Sequence, residues 1–335
     1  MLVKTPLTCE APNAAKFLRQ KMNLRWYTLT ITVQAVNFSQ LVTLLREYPN
    51  ALAIKRIVID HAHPSKVKKG IETLLGALNR CKPLMDDNVS ELAMRGIQES
   101  CQFTSRIWRF LLQGNINSLQ KVELRYAKDT LREETRILME QGRIQEFSKL
   151  KALTLIQNRS SHFAELLEAA EQFSDLCLAD NNLQTLQLKS LLQKINPQRL
   201  RSLNLNDNMM GAEAVNTLIE RLLTPQSSLE SLSLKNTNLQ NSLAALPALV
   251  NPPDMQFADL SFNLVTFLAL ESFFEAVHSR AGRARVVVDL RFNHSLRYGF
   301  GSVEQMLQRI RTPHVAATAA SFCYRFGLVE VLIKI

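Results

Sequence analysis

Along most of the chain, short runs in which apolar and polar residues alternate give way to longer stretches with apolar residues three and four apart. Period two marks a strand with one buried face, and period 3.6 marks an amphipathic helix. Residues 200–210 read LRSLNLNDNMM, the form LxxLxLxxNxL. The form recurs at 173–183, 229–239, 255–265, 285–295 and 150–158, and more weakly at 119–127. The seven starts, at 119, 150, 173, 200, 229, 255 and 285, are spaced by 31, 23, 27, 29, 26 and 30 residues, a period near 28. Residues 54–62 and 26–34 extend the spacing upstream with poorer matches. The 65 residues between 54 and 119 leave room for two coils, with 80–88 read as a degraded strand between helices.

After Gly211, apolar Val215, Leu218, Ile219 and Leu222 share one helical face, and Thr224-Pro225 stops the helix. Similar helices are predicted over 39–48, 66–80, 90–113, 130–141, 161–172, 266–278 and 302–311. Thr130 with Glu133 and Ser302 with Gln305 fit capping boxes, which satisfy first-turn amides. The patterns over 183–199 and 240–254 are shorter or weaker.

One such coil cannot bury its apolar side alone, so successive coils must stack. Strands stack about 4.8 Å apart and helices need about 10 Å, so the stack curves with strands inside. Asn158, Asn181, Asn208, Asn263 and Asn293 stand where each strand ends, and an amide that donates and accepts suits the backbone turning out of the ladder. Thr237 replaces it in part, whereas Ala127 and Ala62 do not, which predicts irregular coils toward the N-terminus. These Leu and Asn residues are scaffold.

The motifs resemble the leucine-rich repeat of the ribonuclease-inhibitor-like class, most closely over Leu200–Leu234, well over 119–300 and loosely over 24–118. The resemblance implies an α/β fold: a curved solenoid, or horseshoe, with parallel strands on the concave face and helices on the convex face. The expected organisation is a single domain over 1–335. It has an N-terminal helical cap at 1–25, about ten repeats over 26–300 with 80–118 irregular, and a C-terminal cap at 301–335.

The composition fits a helix-rich chain with a large core: 46% apolar and 21% charged residues in 335, with only 10 Gly and 11 Pro. The five cysteines form no CxxC pair and suit reduced thiols. No stretch reads as a secretory leader or reaches the ~18 apolar residues of a membrane span. A soluble cytoplasmic protein is expected, in a host cell's cytoplasm if the chain is an injected effector. The net charge of +10 admits nucleic acid, an anionic membrane or an acidic partner.

The fifth, seventh and eighth residues of each motif are predicted to face the concave side. Among them the acids are Asp60, Glu123, Asp180, Asp207, Asp259 and Asp289, and the bases are Arg125, Lys235 and Arg291. This face lacks the gathered Lys and Arg that phosphate binding requires, so nucleic acid is the least favoured partner. Basic clusters at 66–69 and 280–285 read as solvated faces. Aromatic and Arg side chains dominate interface energies. The candidate protein-binding residues are therefore Arg125, Tyr126, Asp180, Asp207, Lys235, Asp259, Phe262, Asp289, Arg291 and Phe292.

No P-loop, GxGxxG, HExxH or GxSxG stands at a strand-to-helix junction. Asp60, His61 and His63 are the one local constellation suited to a metal, without a visible completing ligand set. Cys177 stands near Asp180 and Asp207, which disfavour its thiolate. The expectation is a non-catalytic module with no cofactor and no metal. It engages one protein partner through the concave face, as a monomer or a heterodimer with that partner. Inhibition by covering an enzyme's active site is what the resemblance implies. The alternatives are an injected bacterial effector or intracellular adaptor acting through convex helices, and a metal-dependent enzyme using Asp60, His61 and His63.

Overall fold

The computed structural model describes residues 7–8, 27–32, 54–60, 89–97, 109, 111–126, 147–157, 166, 168–239, 242–279, 286–293, 315–318, 321–326 and 329–334. The chain divides into two compact units, Met1–Ala169 and Ala170–Ile335.

The first unit contains β1 (Leu7–Thr8), β2 (Tyr27–Thr32), β3 (Ile54–Asp60), β4 (Glu91–Ile97), β5 (Lys121–Tyr126) and β6 (Ala152–Ile156). Each pairs parallel with the next. On β6, Leu153 and Leu155 are buried while Ala152, Thr154 and Ile156 are half-buried, as period two requires. β1 is extended and lies in the segment expected as a helical cap, just after Pro6, which has no N–H to continue a helix.

β4 corrects the reading of residues 90–113 as a helix. Val89, Leu92, Ala93 and Ile97 satisfy helical spacing, but Val89, Leu92 and Met94 are also the first, fourth and sixth residues of a strand motif. Period alone is ambiguous for so short a run. The register against neighbours decides it, since Leu92 lies between Ile57 and Val122. Among the described residues of that stretch, helix stands at 109 and 111–113. Asn115 braces this coil: its Oδ1 accepts the Val89 N–H and its amide donates to Leu111 C=O.

The second unit repeats strand, turn and helix. Its elements are β7 (Asp175–Cys177), α1 (Thr185–Lys194), β8 (Ser202–Asn204), α2 (Ala212–Arg221), β9 (Ser231–Ser233), α3 (Ser242–Ala248), β10 (Phe257–Asp259), α4 (Phe267–Ser279) and β11 (Val286–Asp289). β12 (Val315–Thr318), β13 (Ser321–Phe326) and β14 (Val329–Lys334) follow. β8 pairs parallel with β7 and β9, and β10 with β9 and β11. β14 pairs parallel with β11 and antiparallel with β13, which carries β12. The predicted helices at 39–48, 66–80, 130–141 and 302–311, with both capping boxes, lie outside the described residues.

The core of this unit is the sum of the first, fourth and sixth motif positions. Leu200, Leu203 and Leu205 are buried with Leu229, Leu232 and Leu234 and with Met255, Ala258 and Leu260. Helices close it from the other side with Leu188, Leu191 and Leu192 of α1, Val215 and Leu218 of α2, and Phe273 and Phe274 of α4. Successive helices are tied at their ends. Arg221 at the end of α2 donates to the carbonyls of Gln193 and Ile195, groups that a helix terminus leaves without intrahelical partners. Gly211 lets α2 approach α1, because a Cβ there would lie 2.6 Å from Thr185 Oγ1, the atom its own N–H bonds.

Candidate protein-binding face

Three local devices shape the strand ends of the second unit. The first is the asparagine at the ninth motif position. Asn208 donates to the carbonyls of Leu178, Leu205 and Asn206, and its Oδ1 accepts the N–H groups of Asn181 and Leu183. Asn263 does the same for Leu234, Leu260 and Ser261 and for Thr237 and Leu239. Asn293 reaches back to Leu260 and Val265. Each amide thus fastens the turn of the coil before its own. Thr237 keeps the local half, donating to Leu234 C=O, and its hydroxyl also reaches Asn263 Oδ1 of the next coil at 3.3 Å. Asn158 lies outside the described residues.

The second device is a carboxylate or amide at the fifth position that folds back onto the seventh N–H. Asn204 accepts from Asn206, Asp259 from Ser261 and Asp289 from Arg291, each at 3.0 Å. Ser233 is too short for this, and Asn206 of the preceding coil accepts the Lys235 N–H instead.

The third is a left-handed residue at the eighth position. Asp180, Asp207, Asn236, Phe262 and Phe292 have φ of 53°, 57°, 51°, 58° and 62°, and Gln157 of the first unit has 56°. The turn leaves the sheet here while Asp180, Asp207, Asn236 and Phe262 each donate their N–H to the seventh-position carbonyl of the next coil. Asp and Asn tolerate this conformation; for phenylalanine it costs about 1 kcal/mol or more.

Phe262 and Phe292 nevertheless occupy it in adjacent coils, and their rings stack with centroids 4.4 Å apart and planes at 25°. The Lys235 ammonium covers Phe262 at 4.8 Å from its centroid. Phe262 remains 44% exposed. The same coil exposes Leu264 and Leu268, 57% and 56%, where the strand gives way to α4. Phe257, at the third motif position, is also exposed. Exposed apolar side chains thus stand at the strand end, in the turn and in the first turn of α4.

Asp289 is 3% exposed and does not present itself to a partner, contrary to its expected place among the contact residues. Alternation aims it outward, but its carboxylate folds back to hold Arg291 through Nε and Nη2. That hydrogen bond and the Asp289 charge hold the Arg291 guanidinium above its ordinary pKa, with a further contribution from Asp259. Arg291 stays half exposed and Phe292 half-buried. Asp207 is exposed and accepts from the Asn236 amide at 2.9 Å, while Asp180, Lys235 and Asp259 are half-buried.

In the first unit Arg125 is half exposed and is held through Nε by Glu123, a carboxylate with only 5% of its side chain exposed. Arg95 grips the same carboxylate with Nε at 2.8 Å and Nη2 at 3.2 Å. Burial pushes Glu123 upward, but the hydrogen bond from Arg95 and the charges of Arg125 and Arg95 outweigh it and hold the group below 4.5. Arg95 stands outside the expected contact residues because the apolar spacing around it also fits a helix; its signal is the Val89-x-x-Leu92-x-Met94 pattern. Tyr126 closes β5, and its side chain lies outside the described ones, as do the Asp60 side chain and all of His61 and His63. Among the described residues no group of His, Cys, Asp and Glu is placed to hold a metal ion. No helix among them is long and apolar enough to cross a membrane.

No protein-family model matches the chain, and no curated protein does. Among solved structures it is similar to the crystal structure of the Rad7 and Elc1 complex in yeast, at 16% identity and a TM-score of 0.52. The similarity covers 84% of this chain and 76% of that one. At this identity the likeness is one of fold.

Proposed function

We propose that the chain is a leucine-rich-repeat protein whose role is to hold one protein partner, with the inner strand ends around Phe262 and Phe292 at the centre of the contact and no catalysis of its own. One observation carries the reading: two phenylalanines keep a left-handed backbone that Asp or Asn adopts at lower cost, and remain partly exposed after stacking. Backbone strain of this kind concentrates at functional sites. Exposed aromatic side chains are the residue type that anchors interfaces. That the structural neighbour is a component of a protein complex supports the reading.

The test replaces both phenylalanines by asparagine, which keeps the left-handed backbone and removes the rings. Wild-type and variant chains are used as bait in the cytosol of the source cell, and retained proteins are quantified by mass spectrometry. A partner held by the wild type and depleted tenfold or more by the variant is expected. Equal retention by both chains overturns the assignment of the site. Adding the captured partner's own activity assay tests inhibition, which predicts that the wild-type chain suppresses that activity and the variant does not.

A further inference from the structure

Charge is unevenly spread over the strand ends of the second unit. In the coils beginning at 173 and 200, the outward positions carry Asp175, Asp180 and Asp207 and no Lys or Arg. Arg201, at the second position of its motif, is engaged by Glu230 at 3.2 Å. In the next coil the Lys235 ammonium is turned over the Phe262 ring. Asp207 receives only a neutral amide, from Asn236, among the bonds described for it. An acidic stretch thus adjoins an exposed aromatic stack on a chain whose net charge is +10.

We infer that this face takes an extended segment of the partner that presents a Lys or Arg to Asp207 and an aliphatic or aromatic side chain to the Phe262–Phe292 stack. The inference rests on the protein-binding reading above and adds the chemistry and spacing of what is bound. Asp207 and Phe262 lie two coils apart and Asp207 and Phe292 three, about 10 and 14 Å at ~4.8 Å per strand. An extended chain covers that in about three to four residues. The partner's base and its apolar anchor are therefore separated by about that number of positions. An acidic residue is repelled from the Asp207 end of the face, so the surface selects by sign as well as by shape.

Random linear peptides displayed on phage are selected on the immobilised full chain, and enriched sequences are re-measured as labelled synthetic peptides by fluorescence anisotropy. Enrichment of a Lys or Arg three or four positions from an apolar residue is expected. Affinity should weaken about threefold on Asp207→Asn and further as salt rises. Asparagine keeps both the left-handed backbone and the acceptor for Asn236, so this loss reports charge alone. Peptides that require Phe262 and Phe292 but carry no base, or ignore Asp207→Asn, overturn the inference and leave the binding reading standing. Peptides indifferent to the double asparagine variant overturn both. Failure to enrich any sequence also counts against a linear segment as the occupant.

Discussion

The Oδ1 atom of Asn263 accepts the backbone N–H of Thr237 at 3.0 Å, so a side chain of one coil shapes the turn of the coil before it. The same amide donates to Leu234 C=O at 2.7 Å. Asn263→Ala is expected to strand several buried backbone groups at once and to lower stability by about 3–5 kcal/mol, since each orphaned group costs about 1–3 kcal/mol. Urea unfolding measures it. A loss under 1 kcal/mol would show that water replaces the amide.

At Phe262 and Phe292 the choice of replacement matters more than the loss of the ring. Asparagine at either position should be more stable than alanine by about 0.5–1 kcal/mol, because it accepts positive φ. Thermal unfolding of Phe262→Asn against Phe262→Ala decides this independently of any partner. Equal melting temperatures would remove the strain argument.

Glu123 makes the first unit sensitive to acid. Its folded-state pKa lies below 4.5, so its contribution is fully present above that pH and is lost as pH falls through the depressed value. Glu123→Gln should cost about 1–2 kcal/mol at pH 7, within the range for hydrogen bonds to charged groups. The gap between wild type and variant should shrink steadily below pH 4.5. A gap independent of pH would mean that Arg95 and Arg125 do not stabilise the charged form.

Gly211→Ala tests the packing of α2 on α1. The added Cβ would meet Thr185 Oγ1 at 2.6 Å and displace the hydroxyl that accepts the Gly211 N–H. A loss of about 1–3 kcal/mol is expected, as for other overpacked sites. Thr185→Ala in the same chain, which removes both the Oγ1 and the Cγ2 that the new methyl would meet, should recover part of it.

The repeat was legible because its parts are chemically specific: a leucine at most inward positions and an asparagine at most strand ends from residue 150 onward. α2 matches the helix read after Gly211, with Val215 and Leu218 buried. β4 was hidden because it ends in Arg95-Gly96-Ile97 with no asparagine, and its apolar residues also fit helical spacing. The burial of Asp289 was not legible either: alternation gives the side of the sheet a residue starts from, not whether its carboxylate folds back onto the next N–H. Strain at Phe262 and Phe292 is a property of their place in the turn. Nothing in the phenylalanine itself announces it, although Asp207 and Asn236 at the same motif position are a clue.

The loan of each asparagine to the coil before it gives the second unit a mechanical polarity. Lifting away the coil that contains Asn293 strips the brace from Leu260 and Val265 in the coil left behind. Lifting away the coil at 173 leaves Asn208 still bonded to Leu205 and Asn206 of its own turn. Under tension the unit should therefore unravel more readily when peeled from its C-terminal side than from its N-terminal side, as a row of hooks opens in one direction and resists in the other.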